Sequence, residues 1–373
     1  MLSKSNILNL LALFIVVVAL VVLVGVKSSI QKDFSGSKSS IAVIIKNTCS
    51  SGSASSGGKE TCYSQQFRDL ALNSGPEVAF SVLDTLQKMD RSAVGCHLIS
   101  HGIGSGAYKR DPNNWQTLIQ NMSPSCNYGA IHGVLEGYIN SLPDKSLNKT
   151  IIPTICGTTP RADCNHIVGH LILVTTDGDV KKGLDLCDVF TDKAQLEFCY
   201  TGIFMEEETA LNLVSHGLAD KSWLNWTARL PELDKMCRTF SGEKFKSCWT
   251  ELVHVVAVAY HNDAKAVFDY CSRAPSVDAA KGCKYHGIGI MAASYNFDLR
   301  ATKPWCDLEQ AGDPDFKANC YVQLAASSIS TIPGEQNKVK QFCESLETPY
   351  QTACLGQVNS YNKYEKKTGF SND

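Results

Sequence analysis

The sequence has no Cys-x-x-Cys pair, no Gly-x-Ser-x-Gly, no phosphate loop and no surplus of either charge. Each absence removes a class of function. Without Cys-x-x-Cys there is no zinc ribbon, no thioredoxin-like redox site and no attachment point for c-type haem. Without Gly-x-Ser-x-Gly there is no nucleophile elbow. The glycine-rich stretch His101-Gly102-Ile103-Gly104-Ser105-Gly106 follows no strand pattern, so it is not a dinucleotide fingerprint. Lys and Arg number 35 against 37 Asp and Glu, a formal charge of -2. A nucleic-acid partner normally demands a basic surplus, so none is expected. The 44% hydrophobic content excludes disorder.

Against these absences stand 16 cysteines and nine histidines in 373 residues. A chain of this length buries a core without covalent help. The cysteines therefore mark a compartment or a chemistry, and their even number suits disulfides in an oxidising space.

Residues Ile7 to Val26 run apolar with Asn9 as the single polar side chain. At about 1.5 Å per residue a helix over this run spans roughly 30 Å, the thickness of a bilayer core. The run ends without a small-x-small cleavage site, which points to a retained signal anchor over 1–26. Lys4 on one side and Lys27 and Lys32 on the other leave its orientation undecided by charge. The cysteines place the rest outside the cytoplasm. A polar stalk is expected over 27–60, ending in the flexible run Ser50 to Gly58, then an ectodomain over 61–359 and a flexible tail over 360–373.

The cysteines repeat. Cys62, Cys96, Cys126, Cys164, Cys199, Cys248, Cys283, Cys320 and Cys354 each open an apolar segment, with steps of 34, 30, 38, 35, 49, 35, 37 and 34 residues. A period near 35 is that of an αα-hairpin repeat. The fold expected is all-α: a superhelix, solenoid or toroid, of about nine such units. A second cysteine set precedes most of the first: Cys49, Cys156, Cys187, Cys237, Cys271, Cys306 and Cys343. Six of these follow a large apolar residue, namely Ile155, Leu186, Met236, Tyr270, Trp305 and Phe342. Each unit then reads as a short helix ending at apolar-Cys, a polar loop, and Cys opening the next helix. Local bridges follow: 156–164, 187–199, 237–248, 271–283, 306–320 and 343–354. Cys96 and Cys126 lack short-range predecessors and are assigned to each other, and Cys49 and Cys62 form the eighth pair.

Histidine carries the chemical signal. His97, His101, His132, His166 and His170 fall in the opening turns of three successive cysteine-led helices. Two of these carry His-x-x-x-His, and the third carries His132 with Glu136 four residues on. Residues four apart share a helix face, which lets both hold one ion. His254 stands six residues after Cys248, the offset of His132 and His170 from their own cysteines, and His286 stands three after Cys283. Both are further ligand candidates. Glu206, Glu207 and Glu208 read as a solvated helix face, and His216 and His261 as ordinary residues outside the pattern. A set of imidazoles with carboxylate and no free thiolate suits a transition metal, and oxidising surroundings favour zinc or copper. The function expected is thus transition-metal binding by a membrane-anchored extracytoplasmic repeat protein, with catalysis open. The alternative is a disulfide-stapled scaffold binding a protein or glycan on its concave face.

Overall fold

The computed structural model describes residues 37–50, 58–93, 96–123, 125–142, 147–156, 162–210, 220–308, 313–331 and 336–368. The expected anchor over 1–26 lies outside them. No helix among the described residues is long and apolar enough to cross a membrane.

Every regular element among the described residues is helical. Short helices, termed outer, alternate along the chain with longer ones, termed inner. Several start on a capping side chain that satisfies an otherwise orphaned N–H of the first turn. Asp179 accepts from the Lys182 N–H, Asp192 from Gln195, Asp263 from Ala266, and Ser276 from Ala279. The outer helices Val180–Cys187, Trp226–Cys237 and Ala264–Cys271 each end on a cysteine, as the apolar-Cys pattern predicts. A polar loop follows, and the next cysteine lies within or just before an inner helix.

The sixteen cysteines form eight disulfides: 49–62, 96–126, 156–164, 187–199, 237–248, 271–283, 306–320 and 343–354. No cysteine is free. This is the pairing that the spacing predicts, because only a loop of such length brings an outer helix end back to its inner neighbour.

The inner helices pack one on the next in chain order. Gly58–Ser74 lies against His97–Arg110, which lies against Gly129–Ser141; Ala162–Thr175 pairs with Lys193–Thr209; and Val277–Ser294, Phe316–Thr331 and Thr348–Thr368 follow in series. The end of Phe316–Thr331 returns to the start of Gly129–Ser141. There the Asn127 N–H donates to the Ser330 carbonyl at 3.2 Å and the Ser330 hydroxyl donates to Asn127 Oδ1 at 3.3 Å.

Two of the sequence-based boundaries need correction. The expected stalk over 27–60 contains the helix Lys38–Ser50, which buries Ile41, Ala42, Ile45 and Cys49. Their spacing of one, three and four residues gives a helical apolar stripe, and that stripe packs on Pro76–Met89. At the other end the helix Thr348–Thr368 continues through nine residues of the expected tail. The long step between Cys199 and Cys248 includes residues 211–219, outside the described set, and the short helical turn Lys221–Leu224, before the helix Trp226–Cys237.

Two inner-helix crossings are backbone to backbone, and glycine permits them. A Cβ on Gly202 would lie 1.8 Å from the His166 carbonyl oxygen, and one on Gly169 would lie 2.2 Å from that of Cys199. The corresponding contact between His97–Arg110 and Gly129–Ser141 uses Gly104 and Gly133, where a Cβ would meet the Ala130 and His101 carbonyls at 1.8 and 2.0 Å. Both crossings lie within a turn of the histidines, so they set how closely the imidazoles approach. Gly202→Ala is expected to cost about 3 kcal/mol, since a backbone carbonyl has no rotamer with which to yield. Gly356→Ala, on an exposed helix face with nothing within 4 Å, should be neutral or gain up to about 1 kcal/mol. Urea unfolding of both variants checks this; equal midpoints would show that the crossing relaxes freely.

Candidate metal centre

The opening turn of His97–Arg110 presents two imidazoles on one face, with His97 Nε2 3.1 Å from His101 Nε2. The other ring nitrogen of each is already engaged. His97 Nδ1 lies 3.0 Å from the Cys126 carbonyl oxygen, which can only accept, so Nδ1 carries the hydrogen. His101 Nδ1 lies 3.1 Å from Glu136 Oε1. A carboxylate also accepts, so His101 is fixed in the same tautomer. Two Nε2 lone pairs then face each other with no hydrogen between them. That contact is repulsive in a neutral pair and is relieved by a cation placed between. Two nitrogens about 2.0–2.1 Å from one ion stand roughly 2.9–3.4 Å apart, and the observed separation falls in that range.

The carbonyl that orients His97 sits in an unusual turn. Cys126, Asn127 and Tyr128 all have positive φ, at 61°, 52° and 60°. A run of left-handed non-glycine residues costs roughly 1–2 kcal/mol each. The turn is held on one side by the Cys96–Cys126 disulfide and on the other by the Asn127–Ser330 hydrogen bond. It ends where Gly129–Ser141 begins, and that helix brings in His132. The His132 ring centroid lies 5.0 Å from that of His97 and 4.8 Å from that of His101. His97, His101 and His132 thus make a group able to hold a metal ion.

The same device recurs on the next pair of helices. His166 Nε2 and His170 Nε2 are 3.1 Å apart. His166 Nδ1 is 2.8 Å from Thr201 Oγ1, whose own hydrogen goes to the Phe198 carbonyl, so His166 donates. His170 Nδ1 is 3.2 Å from Glu206 Oε2. Again both hydrogens point outward and both Nε2 lone pairs inward. The His132 and His170 centroids are 5.3 Å apart, so all five predicted histidines form one continuous row.

His254 and His286 meet at a further point. Their Nε2 atoms are 3.1 Å apart, and Glu251 Oε2 stands 3.5 Å from the first and 3.2 Å from the second. These three residues are a second group able to hold a metal ion. A third such grouping, Glu208 with Cys237 and Cys248, is chemically different. Its sulfurs are bonded to each other, so they are not thiolate ligands.

Burial favours the neutral form at His97, His132 and His166. Burial, then the neighbouring His101, pushes His97 down to about 3. Burial, then His170, pushes His166 down to about 3. Burial, then His101 and His97, holds His132 well below the usual imidazole range. Neutral imidazole is the form that ligates a metal.

Two sequence-based readings change here. Glu136, read as the i,i+4 companion of His132, reaches across to the neighbouring helix, where it orients His101 from behind. Glu206, Glu207 and Glu208 are not a solvated face, because all three are buried. Glu206 orients His170, Glu207 pairs with Arg229 at 3.1 Å, and Glu208 Oε1 lies 3.8 Å from the sulfurs of both Cys237 and Cys248. Burial, then Glu251 and Glu207, raises the Glu208 carboxyl well above its ordinary value. Sequence reasoning missed Glu251 altogether, although it stands three residues before His254 and so shares its helix face. His261 is exposed, and His216 lies outside the described residues.

The chain matches no family model, no curated protein and no solved structure.

Proposed function

We propose that this is a membrane-anchored, extracytoplasmic protein that binds a transition metal in the row formed by His97, His101, His132, His166 and His170. The observation that carries the reading is the pair of Nε2–Nε2 contacts at 3.1 Å, each between imidazoles whose hydrogens are directed to other acceptors. Outer partners that fix the tautomer of ligating histidines are the usual companions of a metal site. The all-nitrogen donor set suits zinc or copper(II). The frame is proposed to be a repeat superhelix closed into a toroid, supported by the serial packing of inner helices and by the return of Ser330 to Asn127. Eight disulfides and no free cysteine support an oxidising compartment. The apolar run Ile7 to Val26 supports the anchor.

The test is metal content of the full chain, extracted from membranes in detergent, loaded with zinc or copper and dialysed. Wild type should retain metal, and changing His101 and His170 together to Ala should remove most of it. His261→Ala should leave it unchanged. Equal metal in wild type and the double variant would overturn the site, and recovery of the chain in the soluble fraction would overturn the anchor.

A further inference from the structure

We infer that Glu251, His254 and His286 form a second metal site, separate from the His97–His101–His132 nest, which binds a divalent first-row ion through two imidazoles and one carboxylate. None of the three belongs to the row on which the proposed function rests.

The geometry is that of one face of a coordination sphere. The three donor atoms form a triangle with edges of 3.1, 3.2 and 3.5 Å. An ion about 2.0–2.1 Å from each would stand about 0.8 Å out of their plane, the pyramidal position of a three-ligand site with open coordination. An independent observation points to a ligand. Glu251 Oε2 is buried and receives no well-aligned hydrogen bond, although the Nε2 atoms of His254 and His286 stand 3.5 and 3.2 Å from it. The glutamate as a whole is 3% exposed. A buried carboxylate oxygen without a hydrogen is costly to keep, and a cation at the triangle's centre removes the cost.

The chain builds this face from two places. Glu251 ends the helix Gly242–Glu251, and His254 follows within the first turn of Val253–Ala259. His286 comes from Val277–Ser294, packed against both. Its side chain remains 35% exposed, against 12% for His254, so the face opens to solvent on the His286 side. Ion entry and the remaining coordination positions belong there. The donor set differs from the nest as well. One carboxylate among imidazoles suits zinc in an oxidising compartment. His166, at the end of that row, lies near enough to interact electrostatically with Glu251, His254 and His286.

The experiment uses the full chain, stripped with chelator, reloaded with zinc(II), freed of excess and measured by elemental analysis. Wild type should hold one zinc ion here in addition to those bound along the row. Glu251→Gln keeps the shape and removes the charge, and should lose that one ion. His286→Ala, at the most open ligand, should do the same and serves if Glu251→Gln does not fold. Changing His101 and His132 together to Ala should reduce the metal on the row and leave this ion. Cobalt(II) loading adds a second reading, since the d–d bands should split into two sets, one lost in each class of variant. Wild-type zinc content in both Glu251→Gln and His286→Ala overturns the second site. About one ion in wild type, lost only with His101 and His132, overturns it while the first reading stands. About one ion lost only with Glu251 or His286 upholds it and overturns the first.

Discussion

Reducing all eight disulfides without denaturant should unfold the protein, whereas removing one pair should only lower its melting temperature. The loops closed are short, with separations of 8 to 14 residues for seven bridges and 30 for Cys96–Cys126. In the chain-entropy account each such closure contributes about 2.5–3.5 kcal/mol. Over eight non-overlapping loops that is on the order of 20 kcal/mol, above the roughly 5–15 kcal/mol by which folded domains exceed their unfolded chains. Replacing Cys271 and Cys283 together by Ala should therefore cost about 3 kcal/mol and leave a cooperative transition. Full reduction should remove the transition. Circular dichroism melts of oxidised, reduced and Cys271/Cys283-lacking protein make the comparison. A reduced sample that melts cooperatively near the oxidised one would show that the apolar core alone suffices.

The bridges were legible in the sequence for a physical reason. Disulfide partners in a helical hairpin must be a loop apart, and apolar-Cys marks where each outer helix ends. One rule, applied from Cys156 to Cys354, yields six of the pairs, and elimination supplies the other two. The helix Lys38–Ser50 escaped because polar serines and lysines dilute its stripe of Ile41, Ala42 and Ile45, and composition reads as linker until periodicity is counted. The Met205–Glu208 run escaped for the opposite reason. Consecutive carboxylates ordinarily face water, and only tertiary structure places His170 and Arg229 where they give two of them partners.

The site was legible along helices and illegible between them. The spacing His97 to His101 and His166 to His170 puts each pair on one face, and the structure shows each pair with nitrogens in contact. Which carboxylate lies behind which imidazole depends on the crossing of two helices, and spacing within one helix carries no information on that. Spacing places Glu136 on the face of His132, and only packing shows that it also stands behind His101. Glu206 became visible as a partner only through the close approach at Gly169 and Gly202.

Acid should destabilise the metal-free protein steeply. His97 and His166 titrate at about 3 in the fold, while the same residues in an unfolded chain take up a proton near the ordinary 6.5. His132 and His254 are also lowered by burial. A group with a depressed folded value leaves the unfolded state holding more protons as pH falls from 6.5 toward 3. Each such histidine then removes about 1.4 kcal/mol of stability per pH unit. Two carboxyls act against this. Burial, opposed by Arg229, leaves Glu207 raised to about 7, and Glu208 is raised well above its usual value. Between 7 and about 4.5 the fold holds their protons and the unfolded chain does not, so acid favours the fold through these two. Between 6.5 and 4.5 His97 and His166 together remove about 2.7 kcal/mol per pH unit and Glu207 returns about 1.4, with His132 and His254 adding to the loss and Glu208 opposing it. Burial works against charge on Glu251 too, but His286 and His254 hold it below its ordinary range, which adds a further loss in acid. Bound metal keeps the imidazoles unprotonated, so it should move the acid transition to lower pH. Thermal melts of chelator-stripped and zinc-loaded protein between pH 7 and 4 measure both effects. A stripped protein whose melting temperature stays level across that interval would mean that the histidines take up protons within the fold, and the neutral, lone-pair-facing row would be withdrawn.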